Sequence, residues 1–242
     1  MQAESPFYQD CLSCLHSSPL FRDLDEALLH DILHYCHRVS WRHRQVLPMD
    51  ETQHYFHVLI SGRVKISRSN PDNGRMITLF LLGSGDAFCL FGLLEGKSQN
   101  ALLETLDDVI LLRMPMNQAR QWVNAHPEFN RNFLPYLGRQ MSALADLTAD
   151  LALHDTESRL ARMIMRHVDG GGKDHVVPLL INDLSHDSLA QMIGSVRVVV
   201  NRQIQRWKQE GIVAAQRGSL TVEHLHELAA RAEDHLETTE PR

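Results

Sequence analysis

The chain is poor in cysteine and in aromatics: Cys11, Cys14, Cys36 and Cys89 are the only cysteines in 242 residues, and Phe, Trp and Tyr together make up 6%. Four thiols spread so unevenly do not build a disulfide framework, and reduced thiols are the expectation. No apolar run approaches the roughly 18 residues of a membrane-spanning helix, so no membrane span is assigned. The opening Met1-Gln2-Ala3-Glu4-Ser5-Pro6 has no basic stretch followed by an apolar one, and the expected location is the cytoplasm. Positive charge is also in deficit. With 24 Lys and Arg against 30 Asp and Glu the formal net charge is −6, which excludes indiscriminate coating of nucleic acid but not a local basic face. Serines, histidines and carboxylates are plentiful, yet none falls in a nucleophile-elbow, metalloprotease or phosphate-loop pattern. The chain is therefore not read as an enzyme.

What is present changes texture twice. Leu28, Leu29, Ile32, Leu33 and Cys36 recur at helical spacing behind Asp23, Asp25 and Glu26, which predicts a helix over 24 to 37. From Arg44 to Pro115 short apolar runs at 55–60, 64–67, 76–82, 101–106 and 109–114 are cut by Gly62, Asn73-Gly74, Gly83 and Gly85, the pattern of an antiparallel β-domain. Helical spacing then returns, with a short helix at 117–124 and a long one from 128 to 154. In the long helix Leu134, Leu137, Met141, Leu144, Thr148 and Leu151 alternate at spacings of 3 and 4, an a/d seam of about three heptads. A second copy of the chain is the expected partner, although a helix packing on its own domain carries the same pattern. The glycine-rich stretch Asp169 to Asp174 reads as a loop. The resulting class is α+β, with a β-domain at 1–127, a dimerisation helix at 128–155 and a third region at 156–242.

Residues 184 to 222 carry the most informative pattern. Ser185 or Asp187 can cap a short helix through Ile193, Gly194-Ser195-Val196 makes a tight turn, and a second helix runs from Arg197 until Gly211 stops it. Leu189, Met192, Ile193, Val200, Ile204 and Trp207 would face inward, and Ala190 is small enough for close helix approach. This is a helix-turn-helix. Between Gly194 and Gln209 stand Arg197, Arg202, Arg206 and Lys208 and no acidic residue. Arg197 and Asn201 share a face at i,i+4 with Val198 and Arg202 beside them, so one side can meet base edges or phosphates in a major groove. Two short runs around the turn Gln216-Arg217-Gly218-Ser219 form a wing, with Arg217 near its tip to meet the DNA backbone. A charged helix can also be a solvated face; here the turn, the basic face and the wing coincide.

The order of these parts, together with "LISGRVKI" (59–66), "FLLGSGDAF" (80–88) and "LAQMIGSVRVVVNRQIQRWKQEGIV" (189–213), closely resembles the CRP/FNR family of transcription regulators over almost the whole chain. The resemblance implies an N-terminal double-stranded β-helix, the cyclic-nucleotide-binding-like β-roll, then a long dimerisation helix and a C-terminal winged helix-turn-helix. It implies a homodimer on a pseudo-palindromic double-stranded DNA operator, with RNA polymerase as a further partner. The family's Arg-Glu-x-x-x-Arg base-reading pattern appears as Arg197-Val198-Val199-Val200-Asn201-Arg202. Val198 replaces the residue that accepts from a cytosine amino group, so a different half-site is expected, one offering a thymine methyl.

The family's cyclic-nucleotide loop needs a Glu for the ribose and an Arg for the phosphate. Here Leu90 stands in place of the Glu and Gln99 or Asn100 in place of the Arg, leaving no fixed positive charge for the phosphate; cyclic AMP is not the expected ligand. Gly85-Asp86-Ala87-Phe88-Cys89 resembles the haem-binding segment of the family's carbon-monoxide sensors, with Cys89 matching the thiolate that ligates haem iron and Phe91 where a histidine takes over. His30, His34 and His37 share a predicted helix face and are second-ligand candidates. Cys11-Leu12-Ser13-Cys14 resembles part of the iron–sulfur motif of the family's oxygen-labile members, with Cys36 and Cys89 as the remaining thiols. Direct thiol oxidation and a cofactor-free sensor stay open beside haem and a cluster. So do two rivals from other classes: a haem or redox enzyme whose C-terminal segment binds a partner, and a β-roll that docks a protein.

Overall fold

The computed structural model describes residues 5–52, 54–97, 100–168, 178, 180–216 and 219–233. The stretch from Asp169 to Asp174, expected as a loop, lies outside the described residues, as do Gln99 and Arg217. The chain forms two compact units, Met1–Ser69 with Leu79–Ala143 and Asn70–Thr78 with Leu144–Arg242.

The first unit opens with α1 (Pro6–Ser17), where the Ser5 hydroxyl accepts the Tyr8 N–H at 3.2 Å and Pro6 occupies the first turn. Its inner face buries Tyr8, Cys11, Leu12 and Leu15, the i, i+3, i+4, i+7 spacing of an amphipathic helix. In α2 (Glu26–Tyr35) the Asp25 carboxylate caps the Leu28 N–H at 3.0 Å, and Leu29, Ile32 and Leu33 turn inward. The helix expected through 37 ends sooner. Cys36 is extended at φ −89° and ψ 145°, and His37 opens β1 (His37–Trp41). His37 therefore leaves the face expected to hold His30 and His34, and Cys36 is buried at the helix end rather than within the helix.

The strands that follow are β2 (Val46–Pro48), β3 (Tyr55–Ser61), β4 (Val64–Ser69), β5 (Met76–Leu82), β6 (Ala87–Phe88), β7 (Leu102–Thr105) and β8 (Val109–Pro115), with α3 (Met49–Thr52) and α4 (Leu90–Glu95) between them. They make two four-stranded sheets in the orders β1-β8-β3-β6 and β2-β7-β4-β5. The central pairs β3/β8 and β4/β7 are antiparallel, with Val58 opposite Leu112 and Ile66 opposite Leu103. Phe56 to Ile60 is one continuous buried run, as a strand covered on both faces requires. After α5 (Met116–Ala125) a single 3₁₀ turn, Pro127–Phe129, leads into α6 (Asn130–Leu153). Phe129, Phe133 and Tyr136 on the first turns of α6 and before it close the core against Phe21 and Leu29.

In the second unit lie α7 (Thr156–Arg166), α8 (His186–Met192), α9 (Arg197–Gln209), β9 (Val213–Gln216), β10 (Ser219–Val222) and α10 (Leu225–Ala232). Leu160, Ile164, Leu189, Val200, Ile204, Trp207 and Val222 form its interior. Glu157 ties three helices together: its carboxylate accepts Trp207 Nε1–H at 3.2 Å and Arg231 Nη1 at 3.2 Å, while Arg231 also reaches Glu210 at 3.1 Å. Asp150, near the end of α6, is buried and accepts from Arg162 Nε at 2.7 Å and from Arg166. The class is α+β, as the sequence led us to expect.

Candidate nucleic-acid interface and sensor segment

The helix pair α8/α9 is built as its sequence dictates. Ser185 caps α8 by accepting the Ser188 N–H at 3.1 Å, and Leu189, Ala190, Met192 and Ile193 are buried against Val200, Ile204 and Trp207. The turn between the helices needs a glycine. Gly194 sits at φ +61°, and a Cβ there would lie 2.6 Å from Leu151 Cδ2, closer than carbon atoms approach. Leu151 thus packs under the turn of its own chain while remaining 37% exposed.

With Val200, Ile204 and Trp207 inward, the outer face of α9 presents Arg197, Val198, Asn201 and Arg202, all exposed. Val196 has no side-chain capping bond to make, so α9 starts on two bare valines, Val196 at 52% and Val198 at 76% exposure. Water gains nothing from such a pair; a groove lined by methyl groups would. Arg206, one turn beyond Arg202, is exposed as well and carries ion pairs. Its guanidinium donates to Glu210 Oε1 at 2.9 Å and Glu157 Oε2 at 3.4 Å, because the acidic residues of α7 and of the α9 end lie on that side. Sequence reasoning missed His186, whose Nδ1 stands 3.1 Å from Asn201 Oδ1; a histidine directly after the capping serine was the available signal.

The segment Gly85–Leu90, expected to carry the sensor, bends at Cys89, which takes a left-handed conformation at φ 66° without being glycine. Its thiol is buried, donating to the Thr52 carbonyl at 3.5 Å, with Thr52 Oγ1 at 3.4 Å and His57 Nδ1 at 3.8 Å. Burial pushes the Cys89 thiol up to about 12, the hydrogen bond from Thr52 opposing only in part. His57 is held neutral, its pKa lowered to about 3 by burial and by nearby Arg113, and its ring stacks on Phe88 with centroids 4.6 Å apart. Three residues before Cys89, the Asp86 carboxylate accepts from Tyr136 Oη at 3.2 Å, and the same hydroxyl bonds the Ala87 backbone N–H and carbonyl at 3.3 Å. The segment is thereby fastened to α6.

The other thiols lie apart from Cys89. Burial raises Cys11 and Cys36 to about 12, each pushed further by a neighbouring cysteine, and raises Cys14, which touches Ser84 Oγ at 3.3 Å. Among the described residues no three His, Cys, Asp or Glu side chains converge as a metal site, so the donor set does not fit a cysteine-held iron–sulfur cluster. A haem does not fit either: Cys89 is covered by Thr52, His57 is stacked on Phe88, and His30 is engaged by Tyr8 Oη at 2.5 Å. Where the family's phosphate-binding Arg would stand, Asn100 is exposed and uncharged, and Arg120 is spent on the carbonyls of Gly92 and Leu93.

Fold and site together define a winged helix-turn-helix regulator carrying a β-roll. The chain matches the cyclic nucleotide-binding domain over residues 40–126 and the Crp-like helix-turn-helix domain over residues 158–231. It is a member of the CRP/FNR family of DNA-binding transcription regulators. It is 27% identical over 177 residues, 73% of this chain and 79% of the other, to the CRP-like cAMP-activated global transcriptional regulator of Mycobacterium tuberculosis. It is 28% identical over 167 residues, 68% and 74%, to the global nitrogen regulator of Nostoc sp.. Among solved structures it resembles a CooA variant from Carboxydothermus hydrogenoformans at TM-score 0.69 and 20% identity, covering 84% of this chain and 90% of that one. No helix among the described residues is long and apolar enough to cross a membrane.

Proposed function

We propose that the chain acts as a homodimer that reads a pseudo-palindromic operator with the outer face of α9 and is switched through the Gly85–Leu90 segment by a signal other than cyclic AMP. The observation that carries this is the division of α9: Arg197, Val198, Asn201 and Arg202 all face out, while Val200, Ile204 and Trp207 are fixed in the interior. Two arginines give bidentate donors to guanine or phosphate, and Val198 gives an apolar contact to a thymine methyl. Arg206, one turn further along the helix, and Arg217 at the wing turn are proposed as contacts to the DNA backbone.

Homodimerisation is supported by α6, where Leu134 is 63% and Met141 71% exposed in the single chain, with Leu137 and Leu144 half-buried on the same seam. Half-sites about 34 Å apart follow from two-fold symmetry. The link from Asp86 and Ala87 to Tyr136 supports a route by which a change at Cys89 alters α6. RNA polymerase contact and a cytoplasmic location follow from family membership as further parts of the proposal.

Selection of bound sequences from a randomised duplex pool tests it. An inverted repeat is expected, with thymine in each half-site. Arg202→Ala should cost about 1–3 kcal/mol on that site, and replacing the half-site thymines by uracil should weaken the wild type but leave Val198→Ala nearly indifferent. A pool that returns no enriched sequence overturns the proposal. Calorimetric titration with cyclic AMP should give no heat of binding.

A further inference from the structure

One side-chain hydrogen bond bridges α8 and α9 on their outer side. His186 Nδ1 is 3.1 Å from Asn201 Oδ1, and because an amide oxygen only accepts, the imidazole is the donor through Nδ1–H. Its chain neighbours are engaged elsewhere: Ser185 caps α8, and the Asp187 carboxylate accepts from Gln191 Nε2 at 2.9 Å.

An asparagine on an exposed helix face is an ambiguous reader. The torsion to its amide is broad and two-fold, so the side chain can offer its oxygen or its NH2 to the same base edge. A donor fixed on one lone pair of Oδ1 removes that freedom. What remains is one lone pair on Oδ1 and the two N–H donors of Nδ2, set side by side. That fork matches the adenine N6 amino group and N7 in the major groove.

We propose that His186 is a positioning residue that locks the Asn201 amide so that Asn201 reads adenine. The inference rests on α9 entering the major groove. It deepens that placement by assigning one base and the residue that fixes the reader.

The experiment uses the full chain and a randomised duplex pool, comparing wild type, Asn201→Ala, His186→Ala and His186→Gln. In the wild type one position per half-site should favour adenine, and Asn201→Ala identifies it by flattening the preference there on the order of tenfold. His186→Ala should flatten the same position while preferences elsewhere in the half-site stay. His186→Gln keeps an N–H donor and should restore much of the discrimination. The proposal is overturned if His186→Ala weakens all sequences equally, the mark of a phosphate contact or a packing role, or if it leaves the adenine preference intact while Asn201→Ala abolishes it. A null result for Asn201→Ala at every position would instead refute the groove placement of the α9 face.

Discussion

Two glycines near α9 share a left-handed backbone and differ in their surroundings. Gly194 is at φ +61° with Leu151 Cδ2 2.6 Å from a would-be Cβ, whereas Gly211 is at φ +79° with nothing within 4 Å. Gly211→Ala should cost the conformational strain alone, about 1–2 kcal/mol. Gly194→Ala adds a collision that only movement of Leu151 or of the turn can relieve, so its loss in urea denaturation should exceed that of Gly211→Ala, and specific DNA binding should fall with it. Equal losses would mean that the contact with Leu151 gives way freely. The turn itself was legible in Gly194-Ser195-Val196, but its partner was not, since Leu151 reads from sequence as one more seam residue. The same limit applied to Cys11 and Cys14. Their spacing suggested ligand geometry, yet it equals the inward spacing of α1, where Tyr8, Cys11, Leu12 and Leu15 fill the core, and helical periodicity explains it fully.

Among the elements, α2, α6, α8 and α9 were read from the sequence, whereas α1 and α7 were not, although their apolar residues recur at helical spacing too. Helices α8 and α9 were readable because a capping serine, an inward apolar set and a terminal glycine agree. β1 (His37–Trp41) alternates over only two pairs, with Val39 and Trp41 partly buried between exposed Arg38 and Ser40, too short a run directly after a helix to stand out in the sequence; its pairing with β8 defines it. The seam of α6 was legible as a period but not as a free surface, which needed the rest of the unit in place. Leu134 and Met141 are the telling positions, because both are exposed in the single chain. Met141→Asp and Leu134→Asp should leave the fold of each chain intact while shifting the protein from dimer to monomer in sedimentation at micromolar concentration, with loss of binding to the two-half-site operator. A variant that stays dimeric would place the dimer contact elsewhere.

Across the whole molecule, the exposed arginines of α9 were readable from sequence, whereas the electrostatic state of the interior was not, because burial is a property of the assembled fold. Each unit holds a histidine whose charged form burial disfavours. His57 in the first is lowered from 6.5 to about 3 by burial and then by Arg113; His167 in the second is lowered by burial and by Arg166, against a hydrogen bond to the Met163 carbonyl. Unfolding lets both rings take up protons once the pH drops below about 6.5, so the unfolded state binds more protons and stability falls with pH. Well above 6.5 both rings are neutral in either state and contribute no slope. From about 6.5 downward His57 alone should remove up to about 1.4 kcal/mol for each pH unit. Asp86, whose carboxyl is raised chiefly by burial, acts in the opposite sense, but only on reaching the carboxylate range. Urea unfolding followed between pH 7.5 and 5 should therefore show both units losing stability on the acid side, and His57→Phe should flatten the slope in the first unit while leaving that in the second. A stability that holds level from pH 7.5 to 5 would require both histidines to be protonated within the fold, which the stacking of His57 on Phe88 and its neighbour Arg113 oppose.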